Sequence, residues 1–333
     1  MPENIEQLIV LAPAKINLHL AVKAKRPDGF HDLESIFLAV NLYDILHFQL
    51  INDDNSTEIT MKSGENLAIN ADFDSIPVRD NIIFRAITLF REKTGYSKGL
   101  KINVEKRIPP GGGLGGGSSN AAVTLLTLNK IAGFPCCQEA LLEMAVILGS
   151  DVSFFIHQTP AAWVTGRGEH IQPIEAPSMY LVLINPGFPS NTSSAFRLLD
   201  EYRYSNSSGN KNLTTEYTEF HGDNNLSILK TPCSSVSSVV SHSSWLSHIN
   251  LCNNKLVNDF LDVFPGKERT VYNEIISQLM EQGAEYANLS GAGSTCFGVF
   301  KTKEQTQNAV KSLQGKWPFI QECCSINKID GYF

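Results

Sequence analysis

The run Pro110-Gly111-Gly112-Gly113-Leu114-Gly115-Gly116-Gly117-Ser118-Ser119-Asn120 constrains this chain more than any other segment. Six glycines surround one leucine, and a helical pattern opens directly behind them at Ala121, Ala122, Leu125, Leu126 and Leu128. Lacking a Cβ, glycine can turn its backbone N–H groups into a concavity. A helix N-terminus behind the turn adds orphan donors and the positive end of a dipole. Together they make an anion site of phosphate size. A flexible linker is the other reading of a glycine run, but this one sits between a strand pattern and a helix.

The rest of the chain bounds what that site can serve. At 333 residues it can bury a full core and divide into two domains. A formal charge of −7 argues against a nucleic-acid partner, which needs an electropositive surface. A polyphosphate ligand stays compatible, because a glycine cradle works through local backbone dipoles. Two pairs of the seven cysteines are direct neighbours, Cys136-Cys137 and Cys323-Cys324. Neighbours are poorly placed for a disulfide with each other, and no Cys-x-x-Cys pair points to zinc. Reduced thiols and a cytoplasmic location are the expectation. Met1 to Gln7 is polar and acidic, so no signal peptide is expected there, and no apolar run reaches the length of a membrane span.

Helix and strand patterns alternate through both halves. Lys15–Lys25 alternates as a half-buried strand, with Ile16, Leu18, Leu20 and Val22 on one face and Lys15, Asn17 and His19 on the other. Further strands are expected at 45–51, 57–61 and 100–108. Asp80 can cap a helix with the apolar face Ile83, Ala86, Ile87 and Phe90, closing near Gly95. The helix after the glycine loop runs to about Ala132, and a second spans 138–148. Strands at 162–168, 179–185, 296–300 and 319–326 and helices at 270–281 and 303–313 complete an α+β pattern of two layers. Tyr202–Asn254, rich in Ser and Asn, shows no sustained period and reads as a long insertion.

The glycine run is not a Walker A loop, since no Gly-Lys-Ser/Thr closes it. Nor does a ribose-binding acid follow it in a βαβ crossover. Phosphoryl transfer would then need its cation and base from elsewhere. Lys15, in Pro13-Ala14-Lys15-Ile16-Asn17-Leu18, and Asp151, in Gly149-Ser150-Asp151, are the candidates. Singly, one reads as a surface lysine and the other as a turn or N-cap residue. Gly291-Ala292-Gly293-Ser294-Thr295 reads equally as a tight hairpin turn.

Taken in order, Pro13–Leu18, Pro110–Asn120 and Leu289–Thr295 resemble the three signature motifs of the galactokinase, homoserine kinase, mevalonate kinase and phosphomevalonate kinase (GHMP) superfamily. Arg26-Pro27-Asp28-Gly29-Phe30-His31 narrows the resemblance to its branch acting on a cytidine-diphosphate-linked alcohol. The resemblance implies a two-domain fold. An N-terminal ATP-binding domain of the ribosomal-S5-domain-2-like type would span 8–165, and a C-terminal ferredoxin-like α/β sandwich 178–330, with an insertion at about 203–254.

The resemblance further implies ATP, with Mg2+, as phosphoryl donor, and the 2-hydroxyl of 4-diphosphocytidyl-2-C-methyl-D-erythritol as acceptor, in the non-mevalonate isoprenoid route. Asp151 would be the general base, and Lys15 would keep it ionised. Pro109, Pro110, Gly111, Gly112, Gly113, Leu114, Gly115, Gly116, Gly117, Ser118 and Ser119 would wrap the ATP phosphates, with Ser118 reaching the metal ion. Asn17 would reach the acceptor, His31 would read the cytosine edge, and Phe30 and Phe196 would stack on the base. Gly291, Ala292, Gly293 and Ser294 would approach from the second domain.

The chain departs from the branch's pattern in carrying Phe30 where Tyr is usual and in the length of its insertion. Gly166-Arg167-Gly168-Glu169 fits the pattern without a physical role beyond a turn. The competing readings are a kinase of the same superfamily for mevalonate, homoserine or a sugar, and a ligand sensor that has lost catalysis. The sequence leaves the oligomeric state open.

Overall fold

The computed structural model describes residues 7–64, 67, 77–208 and 256–329. Its first sheet is built on one long strand. β2 (His31–Ile51) pairs along one edge with β1 (Gln7–Lys25). The other edge is shared end to end by β4 (Gly99–Lys106), beside Ile45–Ile51, and β5 (Ala161–Thr165), beside Ser35–Leu38. β3 (Thr57–Ser63) adds parallel to β4, and β6 (His170–Pro173) pairs with β5. The second sheet has the order β10-β7-β9-β8, from β7 (Tyr180–Asn185), β8 (Tyr286–Leu289), β9 (Cys296–Phe300) and β10 (Phe319–Cys324).

Side-chain alternation stacks these sheets into four layers. On β7, Leu181 and Leu183 face the first sheet, against Ile16, Leu18, Ile36 and Leu38. Val182 and Ile184 face the opposite way, into α5 (Thr192–Ser208), α6 (Gly266–Glu281) and α7 (Lys303–Leu313). The far side of the first sheet is covered by α1 (Ile82–Thr94), α2 (Gly116–Ile131), α3 (Gln138–Leu148) and α4 (Ser150–Ile156). Every residue of α2 from Ser119 to Asn129 is buried, as suits a helix enclosed by three others and a sheet. The α+β expectation holds, as two layers per half.

Several local expectations need correction. Asn81, not Asp80, caps α1, its side chain accepting from the Ile83 N–H at 2.9 Å. Asp151 lies inside the first turn of α4, a helix the sequence pattern did not reveal. The alternation of β1 breaks at Leu18, where a bulge lets His19 pair with Ile36 directly after Asn17 pairs with Phe37. His19 therefore leaves the face of Lys15 and Asn17 and stacks near Trp163, with ring centroids 6.2 Å apart. Its Nδ1 accepts from the Val257 N–H at 3.2 Å, and burial pushes its pKa down to about 4. Residues 203–208 of the expected insertion continue α5, and the remainder lies outside the described residues.

Candidate active site

β4 delivers the chain to the glycine run through one buried carboxylate. Asp44 is fully buried, pairs with the Lys106 ammonium, and accepts from the Arg107 and Ile108 N–H groups at 2.7 and 2.9 Å. A buried charge persists where it is paired and hydrogen-bonded on all sides, so the entry to the loop is held firmly.

The loop itself is oriented by its carbonyls. Gly111 O accepts from Ser190 N at 2.9 Å, Gly112 O from Thr295 N at 3.1 Å and Gly113 O from the Ser290 hydroxyl at 3.0 Å. Leu114 O accepts from Lys15 N at 2.9 Å. Three of those four donors belong to the second half of the chain, so the loop is sewn into the seam between the halves. With its carbonyls so engaged, the loop keeps donors to spare: among the described residues no acceptor is paired with the N–H groups of Gly113 to Ser118. Gly113, at φ +75°, has no room for a side chain, since a Cβ would collide with the Ser290 carbonyl and lie 2.9 Å from Gly293 O. Such spare N–H groups followed by a helix N-terminus are what an anion requires.

Lys15 and Asn17 rise from β1 beside this loop. Lys15 is 3 % exposed, and its Nζ lies 3.1 Å from Asp151 Oδ2, 2.6 Å from Asn17 Oδ1 and 4.6 Å from the centre of the Phe37 ring. Asn17 is fixed in turn by donating to the Ser35 hydroxyl at 2.9 Å. Its own backbone N–H reaches the Ser290 hydroxyl at 3.3 Å. The Lys15 stem packs against Gly115, where a Cβ would lie 3.0 Å from Lys15 Cγ. Asp151 differs from its partner in keeping 31 % of its side chain exposed. A buried, oriented cation thus holds a carboxylate that a substrate can still reach.

Lys15, Asn17, Asp151 and Pro109–Ser118 line one cavity of about 510 Å³, and Phe196, Gly291 and Ala292 line it as well. Ser119 is wholly buried behind it. Gly293 and Ser294 are not in the lining. Ser294 is fully buried, donates to Phe188 O, and accepts from the Asn185 amide at 3.1 Å. Their place is in the β8–β9 hairpin turn that clamps the loop. Phe30 and His31 also stand outside the lining. Phe30 is 49 % exposed with the Arg167 guanidinium 3.8 Å from its ring centre. His31 stacks on Phe196, centroids 5.2 Å apart and planes 19° apart. Phe30 and Phe196, the rings expected to stack on a base, thus each have another planar group against a face.

Residues assigned no role at the site from the sequence complete it. Arg167 and Phe260 join the cavity wall, Phe260 meeting Phe196 edge to face at 4.9 Å. Asn120 also lines the cavity, and its buried side-chain oxygen meets no donor among the described residues. Asn120 was in view as part of the loop motif, but nothing local distinguishes it from a helix-start residue. Among the described residues no three His, Cys, Asp or Glu side chains gather to hold a metal. Ser118, half-buried, and Asn120 both line the cavity and carry neutral hard oxygens, which fit Mg2+ carried mainly by substrate phosphates.

The GHMP kinases N terminal domain matches residues 81–159, and the GHMP kinases C terminal domain matches 249–318. A 4-diphosphocytidyl-2-C-methyl-D-erythritol kinase of Thermodesulfovibrio yellowstonii is 34% identical over 91% of this chain and 93% of its own length. The enzyme of the same description from Syntrophotalea carbinolica is 33% identical over 92% and 94%. A solved 4-(cytidine 5'-diphospho)-2C-methyl-D-erythritol kinase superposes with a TM-score of 0.68 at 25% identity, covering 95% of this chain and 98% of that one. Mevalonate kinase of L. major shares the fold at a TM-score of 0.66 and 14% identity, over 97% of both chains.

Proposed function

The chain belongs to the 4-diphosphocytidyl-2-C-methyl-D-erythritol kinases of the GHMP superfamily, and from that membership we propose how its own residues phosphorylate the 2-hydroxyl of that acceptor with ATP. The observation that carries the reading is the pairing of Lys15 with Asp151 beside a glycine loop that lines the same cavity.

Asp151 accepts the proton of the acceptor hydroxyl as its oxygen bonds to the γ-phosphorus and the bond to the β-phosphate bridging oxygen breaks. Lys15 holds the carboxylate in place and offers its charge to the developing alkoxide. The Gly113–Ser118 N–H groups receive the charge shed onto the phosphates; being fixed by their carbonyl bonds, they need not reorganise. Asn17 orients the Lys15 ammonium and borders the acceptor. Ser118 and Asn120 would hold Mg2+, which would supply positive charge to offset that of the phosphates.

Phe196 and Phe30 are the stacking surfaces for the cytosine, Phe30 once the guanidinium of Arg167 has given up its face. Gly291 and Ala292 close the acceptor side; Gly293 and Ser294 act on it through the hairpin they brace. The two halves correspond to an ATP-binding domain over 8–165 and a second domain over 178–330. A thermal-shift comparison of CMP with mevalonate tests the acceptor: CMP should raise Tm and mevalonate should not. The reverse result would contradict it.

A further inference from the structure

α5 carries Phe196, Asp200 and Arg203 at spacings of four and three, a single stripe of the helix. All three touch the hairpin between β1 and β2, whose turn bears Phe30. Phe196 covers one face of the His31 ring. Asp200 Oδ1 meets the edge of that ring, 2.8 Å from Nε2, and its other oxygen lies 2.7 Å from Lys25 Nζ. Arg203 donates to the carbonyls of Val22 and Lys23 at 2.6 and 2.9 Å. His31 is only 5 % exposed at its side chain. Burial pulls the Asp200 carboxyl upward, but hydrogen bonds from Lys25 and His31 more than reverse this and leave it below the ordinary carboxylate range. It is thus an anion facing the imidazole, and it fixes the ring proton on Nε2.

We propose that Asp200 is a positioning residue for pyrimidine recognition. By holding the edge of the His31 ring while Phe196 holds its face, it sets the hairpin end that presents Phe30 and the His31 main chain to the base. Neither neighbour does this alone, since stacking leaves a ring free to slide in its plane and a single hydrogen bond leaves it free to tilt. The proposal rests on the cytidyl-acceptor reading.

The test is titration calorimetry with CMP, together with steady-state KM and kcat, on Asp200→Leu and Asp200→Asn. Loss of a hydrogen bond to a charged group corresponds to roughly 10- to 100-fold in affinity. Asp200→Leu should weaken CMP and raise the acceptor KM by that order, with ATP KM and kcat within about twofold. Asp200→Asn keeps an acceptor for the Nε2 proton and should recover most of the loss; Asp200→Ala, which also removes the acceptor, takes the place of the leucine variant if that does not fold. Arg197→Ala, on the exposed side of the same helix, should match wild type. Unchanged CMP affinity in Asp200→Leu would overturn the proposal. So would an ATP KM that rises as far as the acceptor KM, the mark of a general brace. Wild-type protein that takes no CMP would sink the cytidyl reading, and this proposal with it.

Discussion

Lys15 Nζ stands 3.1 Å from Asp151 Oδ2, with the lysine almost wholly buried and the aspartate open to the cavity. The two residues are 136 positions apart, brought together by the packing of α4 on α2 and by the glycine loop, whose Leu114 carbonyl accepts from the Lys15 N–H. That asymmetry divides the labour, one group fixed in place and the other available to a substrate.

Removing the base while keeping its shape should therefore cost rate and little else. Asp151→Asn is expected to lower kcat by roughly 10²–10⁴, with Tm and ATP KM near wild type. Single-turnover kinetics check this, and near wild-type turnover would remove Asp151 from the chemistry.

Lys15→Met replaces a buried cation by a stem of similar length and leaves Asp151 without its partner. We expect kcat to fall by about 10²–10³, with a smaller change in acceptor KM. A variant that binds both substrates poorly but turns over normally would show that Lys15 only shapes the cavity.

The glycine loop predicts a contrast between two positions four residues apart. Gly113→Ala puts a methyl into the Ser290 carbonyl at φ +75°. It should destabilise the protein by roughly 2–4 kcal/mol and abolish ATP binding. Gly117→Ala meets nothing nearer than Ile82 Cγ2 at 3.9 Å and should fold normally. Thermal melts with and without ATP separate the two.

His19 gives a pH signature independent of catalysis. Burial lowers its pKa from 6.5 to about 4, so between those values the unfolded chain binds the proton that the folded chain refuses. The stabilisation is complete above pH 6.5 and is lost as pH falls toward 4. His19→Gln should flatten that part of the denaturation-midpoint curve relative to wild type. Parallel curves would place the acid sensitivity elsewhere.

Legibility in the sequence followed the reach of each interaction. The α1 face Ile83, Ala86, Ile87 and Phe90 and the bounds of α3 and α7 were readable because helix periodicity is local. The glycine loop was readable because so few other residues fit its backbone. The first half of β2 was not, because Ser35–Val40 is buried on both faces, between helices and the second sheet, and shows no alternation. The short α4 offered too few turns for a period. At the site, motif order brought together Lys15, Asp151 and the loop. No local pattern could announce Asp200 meeting His31 across 169 residues, or Arg167 settling on Phe30.

The most direct test of the central claim is a coupled assay of ATP consumption with 4-diphosphocytidyl-2-C-methyl-D-erythritol, mevalonate and homoserine as alternative acceptors. Turnover with the first alone, lost in Asp151→Asn, is the predicted result. Turnover only with mevalonate or homoserine would contradict the assignment of the acceptor to Phe196, Phe30 and His31.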